Sequence, residues 1–266
     1  MLRFCGTPRT FEQEGKLMKK YLVFLFIFAL ALSLAACDME EAVLEEVKSY
    51  EISGQIHSLD IRINAAALTI KTGNGFALES NLKNLTVSVN DGVLTVIEEP
   101  KSALTHTNAM LTLQIPEMVF DSVKLTTGAA KLSADRLAAK TMELVLGAGD
   151  VYFGSLSAYK SIRMEGGAGK ITVANGSLAN LSLIMGVGKL ELTATLSAKS
   201  NLECGVGESI LTLLGGKDAY TVEIQKGIGN ITVDGKTVTD FGSSGNGRNR
   251  VKILGGVGNI QLTFRQ

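Results

Sequence analysis

Apolar and polar residues alternate with a period of two along most of the chain from residue 51 onwards, as in β-strands with one buried face. Between residues 51 and 122 the alternating segments are LDIRI, ALTIK, LTVSV, VLTVI and LTLQIP, and VNDGV is typical of a hairpin turn. From residue 123 to 266 the alternation accompanies recurring glycine pairs. The pattern predicts an all-β protein with an N-terminal β cap region at 51–122 and a glycine-marked repeat at 123–266.

Two glycines separated by one residue recur at a nearly constant interval in the repeat. Successive first glycines lie 19, 20, 19, 19, 22 and 29 residues apart, counted from a degenerate first copy with Gly128 and Ala130. A phosphate-binding loop occurs once, at a strand-to-helix junction, so a recurring pair does not indicate a nucleotide site. We interpret the pairs as structural turns, where glycine tolerates positive φ and close backbone approach. The pairs are Gly147 and Gly149, Gly167 and Gly169, Gly186 and Gly188, Gly205 and Gly207, Gly227 and Gly229, and Gly256 and Gly258.

Apolar residues also keep fixed positions relative to the first glycine. The apolar positions five and three residues before the first glycine and one residue after it have the same parity, and their side chains are expected to face inwards. The apolar positions four and six residues after the first glycine have the opposite parity. The switch predicts a bend in the chain with the second glycine at the bend. The copy at Gly205 differs, because Ser200 stands five residues before the glycine and Ile210 indicates a slip of one residue.

Corresponding positions of successive copies could stack on one another. This predicts a β-solenoid with one coil per 19–20 residues. The alternative is an antiparallel β-sandwich of hairpins, which short strands with glycine turns also allow. Residues 234–250 lengthen one coil and are rich in Gly, Ser, Asn and Arg. They are interpreted either as a flexible loop or as a projecting contact loop that carries Arg248 and Arg250.

The N-terminal sequence has the features of an export signal. Residues 18–36 combine two lysines, a long apolar stretch and small residues before Cys37, as in a signal peptide. The LAAC sequence resembles the lipobox of bacterial lipoproteins, which implies cleavage before Cys37 and a diacylglycerol on its thiol. The alternative is an ordinary signal peptide followed by an incidental cysteine. Residues 1–17 are interpreted as a mis-assigned leader, and residues 37–50 as a lipidated N-terminus with an acidic tether.

The composition of the mature chain limits its partners. Removal of residues 1–36 takes five basic and two acidic residues from the 26 of each, which leaves a net charge of −3. This charge does not favour a nucleic-acid partner. The lipid would place the protein outside the cytoplasm, on the outer face of the cytoplasmic membrane.

Few residues suggest catalysis or metal binding. The two histidines, His57 and His106, lie outside the glycine-marked copies, and neither metal-ligand spacing nor a cofactor motif is present. Cys204 shares the parity of the buried positions and is interpreted as an inert buried thiol. Glu165 and Glu203 face outwards two coils apart with Ile184 between them. They offer the best pair for a polysaccharide-acting enzyme, which is the alternative function.

The motifs GAGKI, GVGKL, GIGNI and GVGNI resemble the repeats of the bacterial putative-adhesin family of β-strand-repeat proteins, over roughly residues 50–266. That family is a domain of unknown function, related in pattern to the adhesin-like head domains of envelope lipoproteins. The resemblance implies an extracytoplasmic β-solenoid without established catalytic residues. We therefore expect a non-enzymatic, lipid-anchored protein with an adhesin-like binding or scaffolding role. Its partner would be in the envelope or outside the cell, and a self-assembling structural rod is a further alternative.

Overall fold

The computed structural model describes residues 44–99, 108–238 and 241–266, and these form an all-β structure. Seventeen strands belong to one mixed sheet, and the described residues contain one short 3₁₀ helix, Lys217–Ala219, and no α-helix. No helix in this part of the chain has the length and hydrophobicity needed to cross a membrane. The predicted leader, signal peptide and lipidation site at Cys37 lie outside the described residues, as does His106.

The strands follow one another with few intervening residues. The N-terminal part contains β1 Leu44–Tyr50, β2 Ser58–Ile63, β3 Ala67–Gly73, β4 Ala77–Leu82, β5 Leu85–Asn90, β6 Val93–Glu98, β7 Met110–Pro116 and β8 Phe120–Ala129. The remainder contains β9 Leu132–Val173, β10 Gly176–Ala179, β11 Leu181–Ser197, β12 Lys199–Leu214, β13 Tyr220–Gln225, β14 Ile231–Val233, β15 Lys236–Val238, β16 Phe241–Ser244 and β17 Asn249–Arg265.

Equivalent residues of neighbouring copies pair in parallel through the middle of the chain. Leu183 in β11, for example, lies opposite Met164 of β9 on one side and Leu202 of β12 on the other. The positions five and three residues before the first glycine are buried, as are those four and six residues after it. A third stretch in each copy adds another buried column that includes Ala139, Ala158, Leu178 and Leu196. The alternating sequence thus buries these columns together in one apolar core.

The strand order is exchanged at both ends of this ladder, so copies do not stack simply in chain order. The last strand, β17, pairs with β12 on one side and with β13 and β14 on the other. At the other end, β2 lies between β6 and β8, and β3 lies between β7 and β9. The outermost parallel strands are therefore β6 and β7 at one end and β13 and β14 at the other.

Antiparallel strands cover the outermost parallel strands at each end. At the N-terminal end β5 pairs with β6, and β4 pairs with β7 and with β1. At the other end β15 pairs with β14 and β16 with β13. The sequence placed residues 37–50 in a tether, but Leu44–Tyr50 is the strand β1, because its backbone pairs with β4. The segment 234–250, expected as a loop, contains β15, β16 and the start of β17.

Most of the glycine pairs, interpreted from the sequence as structural turns, lie inside continuous strands. The chain changes direction at them without leaving the sheet, because each corner pairs in register with the equivalent corner of the next copy, as Gly188 does with Gly169 and with Gly207. The pair at 227 and 229 is the exception and lies between β13 and β14. The pairs within strands are Gly147 and Gly149, and Gly167 and Gly169, in β9; Gly186 and Gly188 in β11; Gly205 and Gly207 in β12; and Gly256 and Gly258 in β17.

The second glycine of each pair has a positive φ, which residues with a side chain rarely adopt. This backbone conformation allows a strand to bend sharply while its hydrogen-bonded pairing continues on both sides of the corner. The corners are therefore bends within strands. The φ values are +132° at Gly149, +126° at Gly169, +134° at Gly188, +136° at Gly207, +139° at Gly229 and +141° at Gly258.

The residue between the two glycines was expected to face inwards, and that expectation is wrong. Val187, Val206, Val257 and Ile228 occupy this position and are 55, 49, 47 and 74% exposed. The side chains point outwards because the alternation of inward and outward side chains is interrupted at the pair, where the second glycine has a positive φ. The inward parity of each first strand therefore ends before the glycine pair.

The copy at Gly205 keeps the common register, contrary to the slip expected from Ile210. Ser209, not Ile210, lies opposite Leu190 and Ile260 in the buried column, and Ser209 is 4% exposed. Ser200 likewise occupies a buried column between aliphatic neighbours. The apparent slip came from assuming that every buried position in the column is aliphatic.

Glu98 completes the hydrogen bonding of a corner near the N-terminal end. Its Oε2 accepts hydrogen bonds from the backbone N–H groups of Asn64, Ala65 and Ala66, at 2.6, 3.0 and 3.3 Å. We expect Glu98→Ala to lower the free energy of unfolding by about 1–3 kcal/mol, because buried or half-buried donors lose their acceptor. Chemical denaturation measures this change. Glu99→Ala is the matched control, and an equal loss of stability in both variants would contradict the role of Glu98.

Candidate functional site

The outward positions of the first strand in each copy form a continuous polar face. The positions six residues before the first glycine of each copy are, in spatial order, Ser122, Thr141, Ser161, Asn180, Lys199, Arg250 and Thr221. Those four before it are Lys124, Glu143, Arg163, Ser182, Asn201, Lys252 and Glu223. Adjacent members of each row are separated by one strand spacing, about 4.8 Å. We call this surface the polar face.

A groove of about 910 Å³ lies on the polar face at its C-terminal end, and we call it the basic groove. Strands β12, β17 and β13 form its floor, and residues 245–247 between β16 and β17 form one wall. It is lined by Lys199, Ser200, Asn201, Thr221, Glu223, Gly245, Asn246, Gly247, Arg250, Val251 and Lys252. Three cations and one carboxylate give this lining a net charge of +2, although the full sequence carries no net charge.

Two of these cations face each other across neighbouring strands. Lys199 of β12 lies directly opposite Arg250 of β17, and both residues are exposed. Neither has an ion-pair partner among the described residues. Like charges opposite each other in a sheet repel and destabilise the pairing. The arrangement is therefore unfavourable in the isolated protein, and a bound anion would relieve the repulsion.

The other polar groups of the basic groove are held in place by the strands and by the wall. Lys252 Nζ lies 3.4 Å from a carboxylate oxygen of Glu223 on the adjacent strand. The Thr221 hydroxyl donates a hydrogen bond of 2.8 Å to the carbonyl of Gly247, which fixes the wall to β13. Arg248 is exposed, two residues before Arg250. The sequence analysis considered both arginines part of a projecting loop, whereas Arg250 lies in β17 and lines the groove and Arg248 does not line it.

A second, shallower depression of about 420 Å³ continues along the polar face. Its lining includes Lys124, Glu143, Arg163, Asn180 and Ser182. Ser182 lies opposite Asn201, which lines the basic groove, so the two depressions adjoin at β11 and β12. Lys124 and Glu143 approach to 3.9 Å, and Arg163 pairs with Glu165. Along the polar face, positive charge without a paired carboxylate is therefore concentrated in the basic groove.

The acid pair considered from the sequence lies further along the same strands. Ile184 stands between Glu165 and Glu203 and is paired with both in the parallel ladder. The two carboxylates are thus two strand spacings apart, roughly 10 Å, with an aliphatic side chain between them. Glu165 is also engaged by the guanidinium group of Arg163. These contacts do not favour a water molecule or a glycosidic bond held between the two acids.

The remaining candidate residues have structural surroundings. Cys204 is a free thiol and 7% exposed. Burial raises the pKa of the Cys204 thiol, and a hydrogen bond with Ser209 acts in the opposite direction, so the thiolate is disfavoured. His57 Nδ1 lies 3.5 Å from a carboxylate oxygen of Asp121 on the surface. Within the described residues, no group of His, Cys, Asp and Glu side chains is suited to hold a metal ion.

Sequence reasoning did not find Lys199, Lys252 or Asn246 as site residues. Lys199 and Arg250 are 51 positions apart in the chain and come together only because β17 inserts beside β12. The row of outward residues was visible in the alternating pattern, but its order was not. The one available signal was the change of composition at residues 234–250, which contains the groove wall.

Comparisons with known proteins identify only distant structural similarity. No family model matches the chain, and no curated protein matches it. A crystal structure of a "putative cell adhesion protein" from Clostridium sporogenes has a TM-score of 0.37 at 16% identity, over 83% of this chain and 99% of that one. A "putative adhesin" from Bacteroides fragilis has a TM-score of 0.37 at 9% identity, over 81% and 95%. A "putative lipid binding protein" from Parabacteroides distasonis has a TM-score of 0.36 at 11% identity, over 81% and 96%. Similarities at this level carry no argument about this chain.

Proposed function

We propose that this protein is a non-enzymatic, lipid-anchored protein of the cell envelope with an adhesin-like role, and that its repeats wind as a β-solenoid that displays the polar face to a partner. The parallel, in-register pairing of successive copies supports the winding. The observation that carries the binding role is the pair Lys199 and Arg250, opposed without ion-pair partners among the described residues in the basic groove. Such a pair costs stability unless something anionic binds there.

The N-terminal sequence supports the proposed location. With the lipid on Cys37, six residues would separate the anchor from β1, a reach of roughly 20 Å at most. Strand β1 belongs to the end of the ladder that contains β6 and β7, and the basic groove belongs to the opposite end. Seven strand spacings, roughly 34 Å, separate β7 from β17. The lipid would therefore hold the β1 end of the ladder near the outer face of the cytoplasmic membrane, and the groove belongs to the other end.

The two other candidate functions have weaker support. An enzyme acting on polysaccharide would need two acids able to act together, and Ile184 separates the best pair. A self-assembling rod would need open strand edges at its ends. The parallel ladder ends instead in antiparallel strands, β4 and β5 at one end and β15 and β16 at the other, so its parallel strands are not the exposed edges.

We expect the full chain to bind to envelope material prepared from a producing strain that lacks the gene, and to do so through the basic groove. The double variant Lys199→Glu with Arg250→Glu should retain less than roughly a tenth of this binding, because it replaces the opposed cations with anions. Sedimentation of the purified chain, in non-ionic detergent, with the envelope material measures the bound fraction.

Two controls define the result. The double variant Lys71→Glu with Lys131→Glu makes the same change of net charge at exposed residues outside the polar face, and should bind as the wild type does. The variant Cys37→Ser should leave the membrane fraction of cells and appear in the soluble fraction, which tests the anchor separately. Absence of wild-type binding, or equal loss in both charge variants, would refute binding through the groove.

A further inference from the structure

We propose that the partner of the basic groove is an anionic glycan, bound through its carboxylate or phosphate groups. This proposal rests on the proposed binding function and names the class of ligand. Three features of the groove lead to it: the arrangement of its cations, the polar groups between them, and its shape. Each favours a charged, hydroxyl-rich polymer over other anionic partners.

The cations form a compact cluster at strand spacing. Lys199 and Arg250 are opposed on adjacent strands, and Lys252 lies two residues further along the same strand as Arg250. Neighbours on adjacent strands are about 4.8 Å apart, so one carboxylate or phosphate can contact both Lys199 and Arg250. The guanidinium group of Arg250 can donate two parallel hydrogen bonds to either anion. Lys252 is partly neutralised by Glu223, which leaves the opposed pair as the main anion contact.

Neutral hydrogen-bonding groups lie among the cations. Asn201 and Asn246 line the same groove and carry amide groups that both donate and accept hydrogen bonds. Asn201 lies opposite Lys252, one row beyond the opposed cations. Sugar hydroxyl groups both donate and accept, so they match such amides, whereas a bare inorganic anion needs donors only. The combination is suited to a saccharide that carries a negative charge.

The shape and lining of the groove disfavour other anionic partners. The groove is bounded on one side by the wall at residues 245–247, and its opposed cations lie on two neighbouring strands, which suits a narrow polymer chain better than a broad bilayer surface. Among the residues that the structure describes, no aromatic side chain lines it, so nucleobases and uncharged sugar rings have no described stacking partner there. Binding must therefore come from charge and hydrogen bonds, which requires a charged ligand.

The length of the polar face favours a polymer over a single sugar. Asn180 and Ser182 adjoin Lys199 and Asn201 on the next strand, and the shallower depression extends the surface to Ser122 and Lys124 on β8. From β8 to β17 the face crosses five strand spacings, about 24 Å. An extended chain with a charged group in the basic groove could make additional hydrogen bonds along this length.

The test uses the full chain in non-ionic detergent and two linear anionic glycans, polygalacturonate for carboxylate and phosphomannan for phosphate. We expect at least one to bind, with affinity that falls as salt concentration rises, since the contact is electrostatic. Fully methyl-esterified polygalacturonate, which has lost the charge, should not bind. Arg250→Glu should weaken the binding at least roughly tenfold, as expected for the loss of a charged hydrogen bond. Isothermal titration calorimetry measures these affinities.

The control variant is Lys236→Glu, which makes the same charge change on β15 at the same end of the protein but outside the groove. It should bind within roughly twofold of the wild type, because exposed charges at a distance are screened. Circular dichroism melting curves should show that both variants remain folded. Vesicles of phosphatidylglycerol, added to the Cys37→Ser variant in detergent-free buffer, serve as a further comparison and should not compete for the groove.

The outcomes separate this proposal from the one on which it rests. If neither glycan binds, or if Arg250→Glu and Lys236→Glu have equal effects, or if the vesicles compete, the glycan assignment is wrong. Binding to envelope material that still depends on Lys199 and Arg250 would then show that the groove has another partner. If binding to envelope material also fails, both proposals are wrong.

Discussion

Replacement of Gly207 by alanine is expected to lower the free energy of unfolding by at least about 3 kcal/mol. Gly207 has φ of +136°, where a side chain is strained, and a Cβ atom there would overlap the carbonyl oxygen of Gly188 on the neighbouring strand. The obstacle is backbone, so no side-chain rotation can relieve it. Gly207 also lies opposite Gly258, and the strain would affect the pairing of β12 with both β11 and β17. Chemical denaturation followed by circular dichroism measures the loss.

Gly75→Ala is the matched control for this prediction. No atom lies within 4 Å of a Cβ built on Gly75, and its backbone does not have positive φ. We expect this substitution to change stability by less than about 0.5 kcal/mol. The degenerate first copy explains why one alanine is tolerated at a corner: Ala130 does not have positive φ, so its Cβ is accommodated. A Gly207→Ala variant as stable as Gly75→Ala would show that the corners are not held by close backbone packing.

Phe153→Ala is expected to destabilise the protein by about 3–5 kcal/mol. Phe153 is 0% exposed and is among the largest fully buried side chains of the core. It stands six residues after the first glycine of its copy, in a column that contains Ala134 and Val173 in the neighbouring copies. Removal of the ring leaves a cavity that the rigid ladder cannot close, because strand pairing fixes the separation of neighbouring strands. Urea denaturation should show a lower midpoint without a change in slope.

The adjacent residue provides the control for Phe153. Tyr152 lies on the same strand with its side chain 47% exposed, because successive residues point to opposite faces. We expect Tyr152→Ala to cost less than about 1 kcal/mol, although the aromatic side chain removed is larger. Similar losses for the two variants would mean that the column containing Phe153 is not buried in solution, and would contradict the inward parity derived from the repeat.

The N-terminal and C-terminal ends of the ladder show a limit of repeat analysis. Columns of equivalent residues are so similar that any copy could pair in register with any other. The sequence therefore indicated stacking but did not indicate which copies are neighbours. In the structure, β17 inserts between β12 and β13, and β2 inserts between β6 and β8. Because of these two exchanges, the parallel ladder ends in β6 and β7 on one side and in β13 and β14 on the other. The strands next to them in the chain can then pair with their outer edges.

The candidate site depended on this exchange more than on any local motif. Arg250 was singled out from the composition of residues 234–250, whereas Lys199 was not singled out from the sequence. Its opposition to Lys199 follows from the insertion of β17 beside β12. Without that insertion, Lys199 would adjoin the strand that carries Thr221, and two cations would not meet in one groove.

The sequence by itself determined the features that depend on short-range spacing. These are the all-β class, the buried columns, the places where the chain bends and the burial of Cys204, because alternation and backbone sterics act within a few residues. Tertiary structure alone decided the order of the copies, the strands that cap both ends and the basic groove. The physical reason is that pairing between equivalent strands is nearly degenerate in energy, so connections and edge protection select the arrangement. Tertiary structure also decided that the glycine corners are bends within strands and that the residue between paired glycines faces solvent. The reason is that the form of a bend depends on the packing and pairing of neighbouring corners.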